Sequence, residues 1–113
     1  MHEIRIAEDL STIVLEAAKR EKLLNVTRVN LCFGQLVQIV PEIFEIAFRE
    51  AVRNTPAGNA LLDIEILNVE MKCMKCGSDF HLTGNQYACG QCLSDDIKII
   101  HGKELFIKSI EGE

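Results

Sequence analysis

The sequence predicts an α+β chain: two helices packed on a small mixed or antiparallel sheet, with a zinc-ribbon-like module inserted between two of its strands. Three observations lead there. Residues 6–21 and 41–52 repeat apolar side chains at three-and-four spacing, the period of an amphipathic helix. Residues 26–33, 60–69 and 104–110 have the composition and length of strands, the first two with in-and-out alternation. Between the last two of these stand Cys73-Met-Lys-Cys76 and Cys89-Gly-Gln-Cys92, two Cys-x-x-Cys knuckles with twelve residues between them.

In the first helix, Ile6, Leu10, Ile13, Val14, Ala17 and Ala18 form the inward stripe. Glu8, Asp9, Glu16, Lys19 and Arg20 take the outer face, acids early and bases late, as the helix dipole favours. Asn25 breaks the pattern. In the strand over 26–33, Val29, Leu31 and Phe33 share one face and Arg28, Asn30 and Cys32 the other, and Gly34 ends it. Cys32 reads as a small buried apolar residue. Pro41 fits the first turn of the second helix, with Glu42 and Glu45 near its positive end. Its buried stripe is Ile43, Phe44, Ala47, Phe48, Ala51 and Val52, and the run Asn54-Thr-Pro-Ala-Gly58 closes it. Over 60–69, Ala60, Leu62, Ile64 and Ile66 face the core, with Asp63 and Glu65 toward water. After the knuckles, Asp95-Asp96 turns the chain, 97–100 is a short apolar run, and Gly102-Lys103 breaks before the closing strand. The expected division is an α+β domain of residues 1–70 with 102–113, and a zinc-binding module of residues 71–101.

A chain of 113 residues is one domain of material with at most a small satellite. A formal net charge of −5 argues against nucleic-acid phosphate as the main partner. Four of the five cysteines are claimed by the knuckles, a usage that belongs to a reducing compartment. Met1-His2-Glu3 puts no apolar run behind a basic start, so no secretory signal is expected. No window approaches the roughly 18–20 apolar residues of a membrane helix. The expectation is a soluble, cytoplasmic protein with no membrane partner.

Paired knuckles of this kind are the sequence form of a tetrathiolate Zn²⁺ site, with Cys73, Cys76, Cys89 and Cys92 as ligands. Gly77, Ser78 and Gly90 supply the tight turns that aim two sulfurs at one ion. Four thiolates leave no open position, so the zinc is structural. A pair of redox dithiols is the rival reading, but neither knuckle sits at a strand-to-helix junction. His81 and His101 lie in polar turn surroundings, read as surface positions, with His81 near enough to the knuckles to support a ligand. No phosphate-binding Gly-rich loop or nucleophile–base spacing appears, so no enzyme is expected. The remaining chemistry lies at the start. A histidine at position 2 offers the α-amine of Met1, its own backbone nitrogen and its imidazole, a planar set suited to Ni²⁺ or Cu²⁺. Glu3 adds an oxygen ligand or a balancing charge.

Met1-His2-Glu3, the helix-strand-helix-strand order, Gly34 after the first strand, the two knuckles and the closing strand together resemble the HypA family. These are nickel metallochaperones of nickel-iron hydrogenase maturation, which in some organisms also serve urease. The resemblance covers the whole chain. It implies that His2 is the essential nickel ligand, with Glu3 and the Met1 amine contributing, and that the four knuckle cysteines hold structural zinc. It implies a transferable Ni²⁺ passed with the GTPase HypB and docking on the hydrogenase large-subunit precursor, with a homodimer left open. Some members carry an acidic nickel ligand just before the second helix. Aligned from Gly34 without gaps, that position is Val40 here, and Glu42 follows two residues later. The alternative is a zinc-ribbon module for protein or nucleic-acid interaction, in which Met1-His2-Glu3 has no nickel role.

Overall fold

A computed structural model describes residues 2–81 and 87–113, with the backbone alone for His2. Met1 and the side chain of His2, two of the expected nickel donors, lie outside the described residues. In chain order the elements are α1 (His2–Arg20), β1 (Val26–Gly34), a 3-10 turn (Gln35–Val37), α2 (Pro41–Ala51), β2 (Leu61–Leu67), β3 (Glu70–Cys73), β4 (Asp79–His81), β5 (Ile97–His101) and β6 (Leu105–Gly112). The strands form two three-stranded sheets, ordered β2-β1-β6 and β4-β3-β5. The expected architecture of two helices, a small sheet and a zinc-ribbon-like module is the observed one. Among the described residues no helix is long and apolar enough to cross a membrane.

The chain divides into two compact units. The first holds the helices, β1 as far as Cys32, residues 39–65 and residues 106–113. Its core is drawn from Ala7, Leu10, Val14 and Ala18 of α1, Phe44, Phe48 and Val52 at α2, and Val26, Val29 and Leu31 of β1. The helices pack on each other, and Phe44 and Phe48 stack with ring centroids 5.8 Å apart. The opposite face of β1 is polar, as the alternation predicts. Arg28 reaches Asp63 at 3.6 Å and Glu111 at 3.8 Å, and Asn30 donates to Ser109 Oγ and Glu111 Oε2 at 2.9 Å each. Lys108 of β6 bridges to Glu65 of β2 at 2.8 Å across the intervening β1. Cys32 is buried among them, the small apolar role expected of it.

Several details depart from the sequence reading. Helix α1 begins at His2 rather than at residue 6, with the acid Glu3 in its first turn. Its buried row is Ala7, Leu10, Ser11, Val14 and Ala18, while Ile13 is 52% exposed. Small side chains let two helices approach closely, and Ser11 is tolerated inside because its hydroxyl donates to the Glu8 carbonyl at 2.8 Å. In α2 only the Phe44–Phe48 row is buried; Ile43 is exposed and Ala47 and Ala51 are half-exposed. The expected strand over 60–69 stops at Leu67, and the chain passes through Asn68 and Val69 into β3 of the second sheet. Ile66, near that exit, is exposed rather than in the core.

Helix α1 closes with a left-handed residue, Lys22 at φ 58°. Leu23 N donates to Ala18 O at 2.9 Å and Lys22 N to Lys19 O at 3.2 Å, the paired bonds of a Schellman motif. The second unit holds residues 33–38 and 66–105. At its base Gly34 crosses Gly102 so closely that a Cβ on Gly34 would lie 2.1 Å from the Gly102 carbonyl carbon and oxygen. Backbone bonds fix the crossing: Gly34 N to Glu104 O at 2.7 Å and Leu36 N to Gly102 O at 2.8 Å. The Gln35 side chain accepts from Val69 N at 3.0 Å. The short apolar run 97–100 becomes β5, antiparallel to β3, which also pairs antiparallel with β4.

Candidate metal centre

Each knuckle begins where a strand or turn delivers its first cysteine inward. Cys73 ends β3 and is fully buried, and Cys89 is buried too, while Cys76 and Cys92 are exposed. The two loops are built alike. Cys73 N donates to Ser78 O at 2.8 Å and Cys89 N to Ser94 O at 2.9 Å. Gly77 N returns to Cys73 O at 2.9 Å, and Leu93 N to Cys89 O at 3.0 Å. The fifth residue of each loop is left-handed, Gly77 at φ 80° and Leu93 at φ 60°. Loop N–H groups point at sulfur: Cys76 N to Cys73 Sγ at 3.5 Å, Gln91 N to Cys89 Sγ at 3.4 Å, and Cys92 N to Cys89 Sγ at 3.5 Å.

The four sulfurs converge across the knuckles. Cys73 Sγ lies 3.5 Å from Cys92 Sγ and Cys76 Sγ 3.6 Å from Cys89 Sγ, with all four within 4.8 Å of one another. Tetrahedral zinc with bonds of about 2.3 Å sets its sulfurs roughly 3.8 Å apart, so the donor set fits that ion. The thiols also influence one another. The Cys76 N–H draws the Cys73 thiol below its usual range. The Ser78 hydroxyl is the main influence bringing Cys76 down to about 6. Cys92 moves up to about 11: the Ser94 N–H favours its thiolate, but the contact with Cys73 Sγ, burial and the other two sulfurs oppose it. Thiols this close resist losing all four protons unless positive charge stands among them.

Sequence reasoning singled out the four cysteines that the structure brings together and missed what joins the loops. Ser78 Oγ lies 3.3 Å from Cys76 Sγ and donates to Gln91 Oε1 at 2.7 Å, tying one knuckle to the other. The only sign in the sequence was a small residue after Gly77. His81 is exposed on β4, and among the described residues its ring forms no hydrogen bond to a knuckle sulfur. His101 is not a bare surface residue. Its Nδ1 meets Glu104 Oε2 at 2.8 Å, its Nε2 is 4.0 Å from Glu70, and Glu104 also accepts from Gly102 N at 2.7 Å.

At the other candidate site, the Glu3 carboxylate accepts from Val40 N at 3.1 Å. Val40 is the N-cap of α2 and has no side-chain cap of its own, so Glu3 supplies an acceptor from the neighbouring helix. The first turn of α1 is thereby fastened to the first turn of α2. Val40 enters this contact through its backbone, and Glu42 is exposed in the first turn of α2.

The whole-chain comparisons agree with this arrangement. Residues 1–112 match the family model described as "Hydrogenase/urease nickel incorporation, metallochaperone, hypA". The hydrogenase maturation factor HypA of Aquifex aeolicus is 34% identical over 113 residues, spanning 100% of this chain and 98% of that protein. The factor of the same name from Dehalococcoides mccartyi is 32% identical over 111 residues, or 98% of this chain and 93% of its own length. The solution structure of the Ni metallochaperone HypA from Helicobacter pylori superposes with a TM-score of 0.68 at 26% identity, covering 97% of this chain and 96% of that one. A second HypA solution structure gives a TM-score of 0.75 at 26% identity, with 100% and 97% coverage. The chain therefore belongs to the HypA family of hydrogenase and urease nickel-incorporation metallochaperones.

Proposed function

We propose that this chain binds Ni²⁺ through its N-terminus and hands it on during maturation of nickel-iron hydrogenase, while Cys73, Cys76, Cys89 and Cys92 keep a resident structural Zn²⁺. The observation that carries the nickel half is where α1 begins. With His2 as its first residue, the His2 amide is among the N–H groups that a helix leaves without an internal acceptor. In this reading that nitrogen, which owes no bond to the helix, serves as a donor between the Met1 amine and the His2 imidazole. A cation at a helix N-terminus opposes the helix dipole. The Glu3 carboxylate and a deprotonated amide offset that, and the balance suits an ion that must be released.

In this reading residues 1–70 with 102–113 carry the transferable nickel and residues 71–101 carry zinc. The partners are HypB and the hydrogenase large-subunit precursor, met in the cytoplasm, and no covalent reaction is catalysed. The test is the free terminus. Extending the chain at its N-terminus turns the amine into an amide and should abolish tight nickel binding while zinc content stays unchanged. Equal nickel affinity in extended and unextended protein would remove the amine from the ligand set.

A further inference from the structure

We propose that the open face between α1 and α2 is a docking groove for an amphipathic helix of a partner protein whose aliphatic stripe is bordered by lysine or arginine. Helix α2 is apolar on two sides. One row, Phe44 and Phe48, is in the core. The other runs through Ile43, Ile46, Ala47 and Ala51, and with Ile4 of α1 it lines a groove of about 370 Å³. A helix with a second apolar side is usually covered on that side as well. Here Ile46 is 73% exposed and Ile4 and Ile43 are 47% and 40% exposed.

The lining selects the occupant. Among the described residues its only polar side chains are Glu8 and Glu50, one from each helix, and no lysine or arginine is among them. Glu50 is matched by Arg53 at 2.8 Å, whereas Glu8 enters no ion pair among the described residues, since Arg5 turns to Asp9. A second copy of the same face brings no lysine or arginine in its lining to answer Glu8. A small ligand would need polar groups converging inside the groove, and these stand at its edges. An aliphatic stripe read at i, i+3, i+4 and i+7 with cationic flanks satisfies both the apolar floor and the acidic rim. The groove starts at Ile4, two residues along α1 from His2, so a helix seated there lies beside the start of the chain.

The test uses the full zinc-loaded protein and two labelled helical peptides of about 18 residues. Both carry leucine at i, i+3, i+4 and i+7; one has lysine and arginine flanks, the other glutamate flanks. Fluorescence anisotropy should show saturable binding of the basic peptide, weakening as salt rises, and much weaker binding of the acidic one. Ile46→Glu, at an exposed position that should not disturb folding, should weaken the basic peptide about tenfold or more. Glu8→Lys should weaken the basic peptide and strengthen the acidic one, and Leu24→Glu, in the α1–β1 connection, should change neither. Equal binding of both peptides, no saturable binding, or an Ile46→Glu variant that binds like wild type would overturn the proposal. So would concentration-dependent self-association of wild type that Ile46→Glu abolishes, which would assign the face to a second copy. Metal counting on the same samples keeps this separate from the nickel reading: intact nickel binding with no peptide binding defeats only the groove.

Discussion

Replacing Leu93 by glycine should make the zinc-loaded protein more stable. Leu93 and Gly77 occupy the same place in two loops with the same hydrogen-bond frame, and both are left-handed, at φ 60° and 80°. A residue with a Cβ held there costs roughly 1–2 kcal/mol. Glycine removes that strain but adds about 0.5–1 kcal/mol of unfolded-chain entropy. Leu93 is 81% exposed, so little burial is lost with its side chain. The net gain is about 0.5–1 kcal/mol, or a rise of roughly 2–4 °C in Tm for a chain of this size. The reverse change checks the reasoning. A Cβ at Gly77 meets nothing within 4 Å, so Gly77→Ala should lose about 1 kcal/mol to backbone strain alone. Calorimetry of zinc-saturated protein, with zinc counted on the same samples, reads both. A Leu93→Gly variant less stable than wild type, or a neutral Gly77→Ala, would show that strain at this position is not what separates the loops.

Two further outcomes follow from the segment that leads into the closing strand. Gly34→Ala puts a Cβ into the backbone of Gly102 and 2.5 Å from Lys103 N. Neither neighbour can yield without breaking the bonds from Gly34 N and Leu36 N, so denaturant unfolding should show a loss of about 2–3 kcal/mol or more; a change within about 0.5 kcal/mol, the usual range for surface substitutions, would contradict the crossing. The His101–Glu104 pair should make stability depend on pH. Its hydrogen bond to Glu104 raises His101 above its ordinary 6.5, and the same bond, helped by Gly102 N–H, lowers Glu104 from 4.5 to about 2. The histidine contribution is complete below about 6.5 and fades as pH climbs through its raised folded value. The glutamate contribution is complete above about 4.5 and fades as pH falls toward 2. Both act together between roughly pH 4.5 and 6.5, so Glu104→Gln should lower Tm more at pH 6 than at pH 8.5, where the charge attraction to His101 is no longer there to lose. An equal loss at both pH values would mean the ion pair adds nothing.

What the sequence disclosed was mostly local. The knuckles could be read because the convergence of four cysteines is set by spacing and by Gly77, Ser78 and Gly90, all within a few residues of a knuckle cysteine. The faces of β1 were legible from alternation, down to Cys32. The helix stripes were only partly so, because apolar character alone cannot say which row meets another helix. Ser11 is buried, its hydroxyl satisfied by the Glu8 carbonyl, while Ile13 is exposed. The same ambiguity hid the groove: Ile43, Ala47 and Ala51 look like core in the sequence, and the structure places them beside it. His101 is exposed, as read; what the sequence did not disclose is its bond to Glu104, three residues on, and its approach to Glu70, which arrives opposite it only through the β3–β5 register. Glu3 was read as an oxygen ligand or a balancing charge beside His2; its bond to Val40 N was not legible, because it depends on how α1 meets α2.

The central claim is that two metals are held at separate places, nickel by the N-terminus and zinc by the knuckles. The most direct measurement is metal analysis of unextended wild type and His2→Ala, each dialysed against Ni²⁺, with nickel and zinc counted separately. The account predicts that His2→Ala loses its nickel while its zinc content and its fold remain. Nickel bound to His2→Ala in the wild-type amount would contradict it.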